Sequence, residues 1–257
     1  MRIFPKTAEK AALSPLFSEQ WLCVCGISFP LLAGEQNDLT VFRQLFQNGQ
    51  RRLHPGIVEA HQRVVQNQGG LRGQFFRHGQ TEGSLRNLYY GAANIPVLPE
   101  SLEELHAAAQ RGVYPKAQRY YTSGLLRTEQ TLAAIYGDVP HTQLPGLREM
   151  DFGDFEMHSY EELKDTPAYQ AWITDVGHNV CPNGESAPQV LERNRAAMAQ
   201  VLASGEDAVC VVHGGVTAGL MMTWFGGGRY DYSVKPGTGF TVTFRDGRPV
   251  SYERVPE

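Results

Sequence analysis

Cysteine is scarce: a chain of 257 residues holds four, and no two of them form a Cys-x-x-Cys pair. Cys23 and Cys25 alternate within one apolar run, while Cys181 and Cys210 stand alone. A disulfide-stapled miniprotein is excluded, and a zinc ribbon or dithiol redox site is disfavoured. Buried free thiols suit a reducing, cytoplasmic setting. Long apolar runs are also lacking. The longest, Trp21 to Ala33, has 13 residues, whereas a membrane-crossing helix needs about 20. Glu9 and Glu19 precede it and Pro30 interrupts it, so it reads as a buried strand and turn rather than a signal-peptide core. Positive charge is not in excess, with a net charge of −4. A nucleic-acid binder held by bulk charge is therefore not expected. Metal-ligand clusters are missing as well, since the eight histidines are scattered. No metal is therefore expected. The 42% of hydrophobic residues can fill one large core.

What is present divides the chain in two. Residues 1–70 read as an N-terminal extension with a helix over 39–47, capped by Asp38, and a second over 56–66, opened by Pro55. Gln68-Gly69-Gly70 marks the boundary. From 71 to 257 the pattern is strand, loop and helix in alternation. Strands are expected at 74–76, 118–121 and 207–212, and helices at 102–111, 125–136, 159–166, 167–175, 189–202 and 216–224. Ser159 with Glu162 forms a capping box. Ala208-Val209-Cys210-Val211-Val212 is apolar without alternation, as a strand covered on both faces should be. Strands at 240–244 and 250–255 flank an Asp246-Gly247 hairpin turn, and the former could serve as a sheet edge, blunted by that turn and Arg248. The fold class this implies is α/β: a three-layer sandwich with a mostly parallel central sheet flanked by helices.

Ligands of such sheets bind beyond the carboxyl ends of the strands. There the chain carries Arg77-His78-Gly79, then Ser123 with Arg127, then His213-Gly214-Gly215, with Glu149 on a loop between them. Each residue alone is a weak signal. Together they place two arginines, two histidines and a carboxylate at one sheet edge, a set suited to a phosphomonoester. Guanidinium forks bind phosphate oxygens, and an unprotonated imidazole nitrogen can attack phosphorus.

Five segments carry a resemblance: Phe76-Arg77-His78-Gly79-Gln80-Thr81, Ser123-x-x-x-Arg127-Thr128-x-Gln130-Thr131, the run from Leu147 to Glu156, Gly184-Glu185-Ser186, and Val212-His213-Gly214-Gly215. In order and spacing they resemble the histidine phosphatase (phosphoglycerate mutase-like) superfamily, over about residues 73–255. The resemblance implies a metal-independent phosphohistidine mechanism without a cofactor. His78 is then the nucleophile and Glu149 the general acid. Arg77, Arg127 and His213 hold the transferring phosphoryl group, with Thr81, Ser84 and Gly214 as further phosphate-site residues. Two positions depart from the family pattern. Ser84 stands where the family commonly has Asn, with Asn87 three residues further on. Met157 stands where a Gly usually follows the glutamate at 156, and should narrow the pocket mouth.

Only 64 positions separate Glu149 from His213, which resembles the compact bacterial branch that includes α-ribazole 5′-phosphate phosphatases of cobalamin assembly. Tyr89-Tyr90-Gly91 and Asp165-x-x-x-Tyr169-x-x-Trp172 fit that branch. These aromatics either stack on a substrate's base or ribose or pack the helical cap, the latter being favoured. The expected activity is hydrolysis of α-ribazole 5′-phosphate or a similar small sugar or nucleotide phosphate. The alternatives are a phosphoglycerate mutase-type phosphotransferase and a non-enzymatic binder of phosphate ligands. No nucleic acid or membrane partner is expected, and oligomeric state is not legible.

Overall fold

The structure, a computed structural model, describes residues 70–255 together with the backbone of residues 21–24 and 27–30. Those two segments, β1 (Trp21–Val24) and β2 (Ile27–Pro30), pair antiparallel. The helices expected over 39–47 and 56–66 lie outside the described residues.

The main sheet has six strands: β3 (Leu71–Arg77), β4 (Arg119–Thr122), β5 (Thr142–Gln143), β6 (Ala208–Val212), β7 (Gly239–Arg245) and β8 (Arg248–Val255), in the order β5-β4-β6-β3-β7-β8. The pairings β5–β4, β4–β6 and β6–β3 are parallel, whereas β7 runs antiparallel to both neighbours. Five of the six strands thus point one way, and the sheet is mixed only through β7. The last two strands turn at Asp246 (φ 51°) and Gly247 (φ 69°), the two left-handed positions that a tight hairpin requires. The 240–244 strand is not an edge. It lies between β3 and β8, and the exposed, charged β8 closes that side. Sequence pattern alone could not separate the members of one hairpin by which was outermost.

Alternation along the buried strands explains the three layers. Phe75, Cys210 and Val212 face one core with Ala197, Met198, Val201, Val216 and Leu220. These belong to α6 (Ala187–Ala203) and α7 (Gly214–Phe225). Phe76, Val209 and Val211 face the other core with Leu105, Leu132 and Ile135, from α2 (Pro99–Gln110) and α3 (Leu126–Tyr136). Each such side chain contributes about 1.5–3 kcal/mol by leaving water, so a one-residue slip of β6 would cost both layers at once.

A third cluster lies apart from the sheet: Tyr89, Phe152, Phe155, Leu163, Tyr169, Trp172 and Cys181. It joins α4 (Tyr160–Leu163) and α5 (Pro167–Ile173) to the loops around 89 and 152. The Ser159–Glu162 capping box opens α4. Three of the branch-pattern aromatics, Tyr89, Tyr169 and Trp172, therefore pack the cap: Tyr89 and Tyr169 are wholly buried, and their hydroxyls share a 2.6 Å hydrogen bond. Among the described residues, no helix is long and apolar enough to cross a membrane.

Candidate active site

The order β4-β6-β3 puts three strand ends side by side; Arg77 ends β3, and the residues just beyond the strands are Ser123, His213 and His78. This adjacency brings together residues far apart in sequence. The backbone fixes it, since the His78 N–H donates to the Val212 carbonyl at 2.9 Å.

His78 is buried, and its Nδ1 lies 2.7 Å from the Gly79 carbonyl. A carbonyl only accepts, so Nδ1 carries the hydrogen and Nε2 keeps its lone pair. Burial, then Arg127, then Arg77 hold the His78 pKa well below the ordinary imidazole value, with the Gly79 carbonyl opposing them. The ring is thus neutral, with its hydrogen on Nδ1 and a lone pair on Nε2. Gly79 has a packing reason to lack a side chain, because a Cβ there would lie 2.7 Å from Val97 Cγ1.

Arg127 projects from the first turn of α3 and is wholly buried. Its Nη1 donates to the Ala93 carbonyl (2.7 Å), its Nη2 to the Gly91 carbonyl (2.8 Å) and its Nε to His213 Nδ1 (3.3 Å). The guanidinium also lies 5.2 Å from the centre of the Tyr90 ring. Arg77 donates through Nη1 to the Val234 carbonyl at 3.0 Å, while its buried Nε has no hydrogen-bond partner among the described residues. A buried charged donor left unpaired costs more than about 1–3 kcal/mol, a cost that an anion would remove. Gly214 leaves room for it, since a Cβ there would touch Arg77 Nε at 3.4 Å.

His213 is the N-cap of α7. Because Arg127 can only donate, His213 Nδ1 is the acceptor and Nε2–H donates to Ser123 Oγ at 2.9 Å. The Thr128 hydroxyl donates to the Leu125 carbonyl at 2.7 Å, so Ser123 donates in turn to Thr128 Oγ1 at 3.1 Å. Both ring nitrogens of His213 therefore face protein partners in this arrangement. Its pKa too is held well below the ordinary imidazole value, chiefly by burial and then by Arg127. The rings of His78 and His213 are 5.2 Å apart.

Glu149 is buried and accepts from the N–H of Met150 (3.0 Å) and of Gly215 (2.8 Å). Its loop is braced by Arg193, which donates to the carbonyls of Gly146 and Glu149 and pairs twice with Glu185. This gives the Gly184-Glu185-Ser186 segment a use: Glu185 holds the brace, and Ser186 caps α6.

Thr81 and Ser84 are engaged with each other. They form the capping box of α1 (Glu82–Leu85), in which the Ser84 hydroxyl accepts from the Thr81 N–H at 2.9 Å. Asn87 is exposed at φ 53°, a turn position outside the charged cluster. The expectation that Ser84 or Asn87 meets phosphate gains no support from these partners.

Sequence reasoning placed Ser123 at the ligand-binding edge but assigned no role to it, to Glu156 or to Thr131. Thr131 accepts from the Gly79 N–H (2.8 Å) and donates to the Arg127 carbonyl (2.7 Å), tying the loop of His78 to α3. The signal was present, since Ser123 and Thr131 belong to the same motif as Arg127. Met157 is strained, with a left-handed φ of 61° and a side chain 40% exposed. Replacing it with glycine should raise stability by about 0.5–1 kcal/mol, because the left-handed penalty exceeds the entropy that glycine adds. Thermal unfolding of Met157→Gly should show a midpoint about 1–4 °C higher, and an unchanged or lower midpoint would contradict it.

Residues 74–250 match the histidine phosphatase superfamily (branch 1). The chain belongs to the histidine phosphatase superfamily. It is 35% identical over 116 residues to the adenosylcobalamin/α-ribazole phosphatase of Salmonella typhimurium, covering 42% of this chain and 56% of that one. The matched segment thus spans little more than half of that relative. A 2,3-bisphosphoglycerate-dependent phosphoglycerate mutase of Beijerinckia indica is 27% identical over 165 residues, covering 57% of this chain and 77% of that one. Among solved structures, the α-ribazole phosphatase of Shigella flexneri superposes with a TM-score of 0.65 at 24% identity, covering 70% of this chain and 94% of that one. That likeness supports the fold expected of this histidine phosphatase domain.

Proposed function

We propose that this chain is a metal-independent phosphomonoesterase working through a phosphohistidine at His78. The observation that carries the reading is the His78 ring, neutral, with Nδ1–H fixed on the Gly79 carbonyl and two guanidiniums beside it. In the first step Nε2 attacks phosphorus, the P–N bond forms, and the ester P–O bond breaks as Glu149 gives its proton to the leaving alkoxide. In the second, the Glu149 carboxylate takes a proton from water, the oxygen attacks phosphorus, and the P–N bond breaks. Arg77 and Arg127 meet the charge that spreads over the equatorial oxygens without having to reorganise. The same two cations repel a metal ion from this position, which is why no metal step is invoked.

The substrate we favour is α-ribazole 5′-phosphate, or a small sugar or nucleotide phosphate like it. The support is the relatives' names and the short Glu149–His213 interval. Cap aromatics give none, because Tyr89, Tyr169 and Trp172 are buried in their own cluster. Phosphoglycerate mutase chemistry would use the same residues. The discriminating experiment offers α-ribazole 5′-phosphate, 3-phosphoglycerate and sugar bisphosphates to the protein in EDTA. Free phosphate should be the main product, with kcat/KM for α-ribazole 5′-phosphate at least about 10-fold above the others, a margin that a few substrate contacts readily supply. Dominant phosphoryl transfer on 3-phosphoglycerate would reverse the order of the two readings, and binding of phosphate without turnover would leave a non-enzymatic binder.

A further inference from the structure

The carboxylate of Glu156 does something that neither the nucleophile nor the general acid explains. Its two oxygens accept from four backbone N–H groups: Gly91 (2.8 Å), Ala92 (3.0 Å), Ala93 (3.1 Å) and Phe152 (3.0 Å). Three of these are consecutive, so residues 91–93 wrap their amides around one anion. The carbonyls of the same short loop grip Arg127, Gly91 through Nη2 and Ala93 through Nη1. The fourth donor, Phe152, lies three residues past Glu149. One side chain therefore joins the loop that holds the phosphate arginine to the loop that carries the acid. The spacing has no slack. A Cβ on Gly91 would fall 1.5 Å from the Met150 carbonyl oxygen and 3.3 Å from Glu156 Oε1.

We infer that Glu156 is a positioning residue: through loop 91–93 it sets the direction of the Arg127 guanidinium, and through Phe152 the distance of that guanidinium from Glu149. It touches no reacting atom. Its effect is geometric, because a guanidinium held by two carbonyls can be aimed only as well as those carbonyls are held. An amide in place of the carboxylate would turn an NH2 group toward backbone donors and lose at least one acceptor. The loop would then relax, and Arg127 with it. The inference rests on the phosphatase reading for its catalytic consequence, but the link from Glu156 to Arg127 does not.

The test is a double-mutant cycle between Glu156→Gln and Arg127→Ala, read in kcat/KM and, separately, in inorganic phosphate binding by titration calorimetry. In the wild-type background Glu156→Gln should lower kcat/KM by about 10–100-fold, the range found when a group supporting a site is removed. In the Arg127→Ala background it should cost less than about threefold, since the arginine it aims is gone. Amide hydrogen exchange at 91–93 should rise in Glu156→Gln, and Glu156→Asp, which keeps the charge but not the reach, should fall between the two. Additive losses in an active enzyme overturn the inference and leave the phosphatase reading standing. Phosphate binding that is coupled in the cycle, in a protein without turnover, does the reverse. A Glu156→Gln chain that no longer folds shows a purely structural carboxylate and overturns the inference, as does a wild type that fails to bind phosphate at all.

Discussion

His78→Ala should abolish phosphate release, lowering kcat by at least about 10⁴-fold, as removal of a nucleophile does in enzymes with covalent intermediates. The fold should survive, because the structural bond at this position is made by the His78 backbone N–H to Val212. Wild-type protein mixed with a labelled phosphomonoester and quenched in base should retain about one label per chain, and His78→Ala none. Undiminished turnover in the variant would remove the phosphohistidine mechanism altogether. Acid should reveal the same residue. The reactive ring is the neutral one, and its pKa is held well below 6.5. The acid limb of kcat/KM should therefore lie below the ordinary imidazole range, with activity full at neutral pH.

The same shift has a consequence for stability, and its sign is fixed by linkage. Unfolding returns His78 and His213 to the ordinary value of 6.5, whereas folded they remain neutral. Below 6.5 the unfolded chain binds the extra protons, so stability falls as pH falls toward the folded values. Each buried ring adds to that loss as pH falls below 6.5. Thermal unfolding of wild type should weaken between neutral and mildly acid pH, and His78→Ala should weaken by about half as much. Bound phosphate should oppose the loss, since it favours positive charge at this place.

What the sequence disclosed and what it hid divide along the range of the interactions. Local chemistry was legible. The Ser159–Glu162 capping box, the Asp246-Gly247 turn and the unbroken apolar run of β6 each involve residues within a few positions of one another, and each is in place. His78 and His213 were legible because each sits just beyond an apolar strand, and Arg127 because it follows Ser123 in one short segment after β4. Glu156 was visible only as a motif letter. Three of its four partners are amides 63–65 positions away in a loop without side-chain pattern, and backbone groups leave no mark in sequence. The hold of Ser123 on His213 needed the strand order β4-β6-β3, which no periodicity reports. Two elements escaped because they are too short to have a period: β5, of two residues, and α1, of four. The cap aromatics had spacing suited to stacking or to packing alike, and only their burial separated the two.

Gly215→Ala should disable the acid without touching it. A Cβ at 215 would stand 2.4 Å from Glu149 Oε1 and 2.8 Å from Oε2, so the carboxylate must swing away from the place where it accepts the Gly215 N–H. Local helix preference favours alanine over glycine in a helix interior by about 1 kcal/mol, so this first-turn change of α7 need not unfold the domain. The loss should then depend on the leaving group. An alkyl phosphate needs a proton on its departing oxygen, and its hydrolysis should slow by about 10²–10⁴-fold, the usual worth of general acid catalysis. Nitrophenolate leaves unaided, so p-nitrophenyl phosphate should phosphorylate His78 at nearly the wild-type rate. Its second step still needs a base to deprotonate water. The variant should therefore release a burst of about one nitrophenolate per chain and then turn over slowly, while the alkyl phosphate shows no burst. Glu149→Gln should reproduce both behaviours, because displacing the carboxylate and neutralising it remove the same proton. Equal losses on the two substrates, with no burst on either, would mean that the residue at 149 does not serve as the acid. The collision at 215 would then be disturbing Arg77 through its neighbour Gly214 instead.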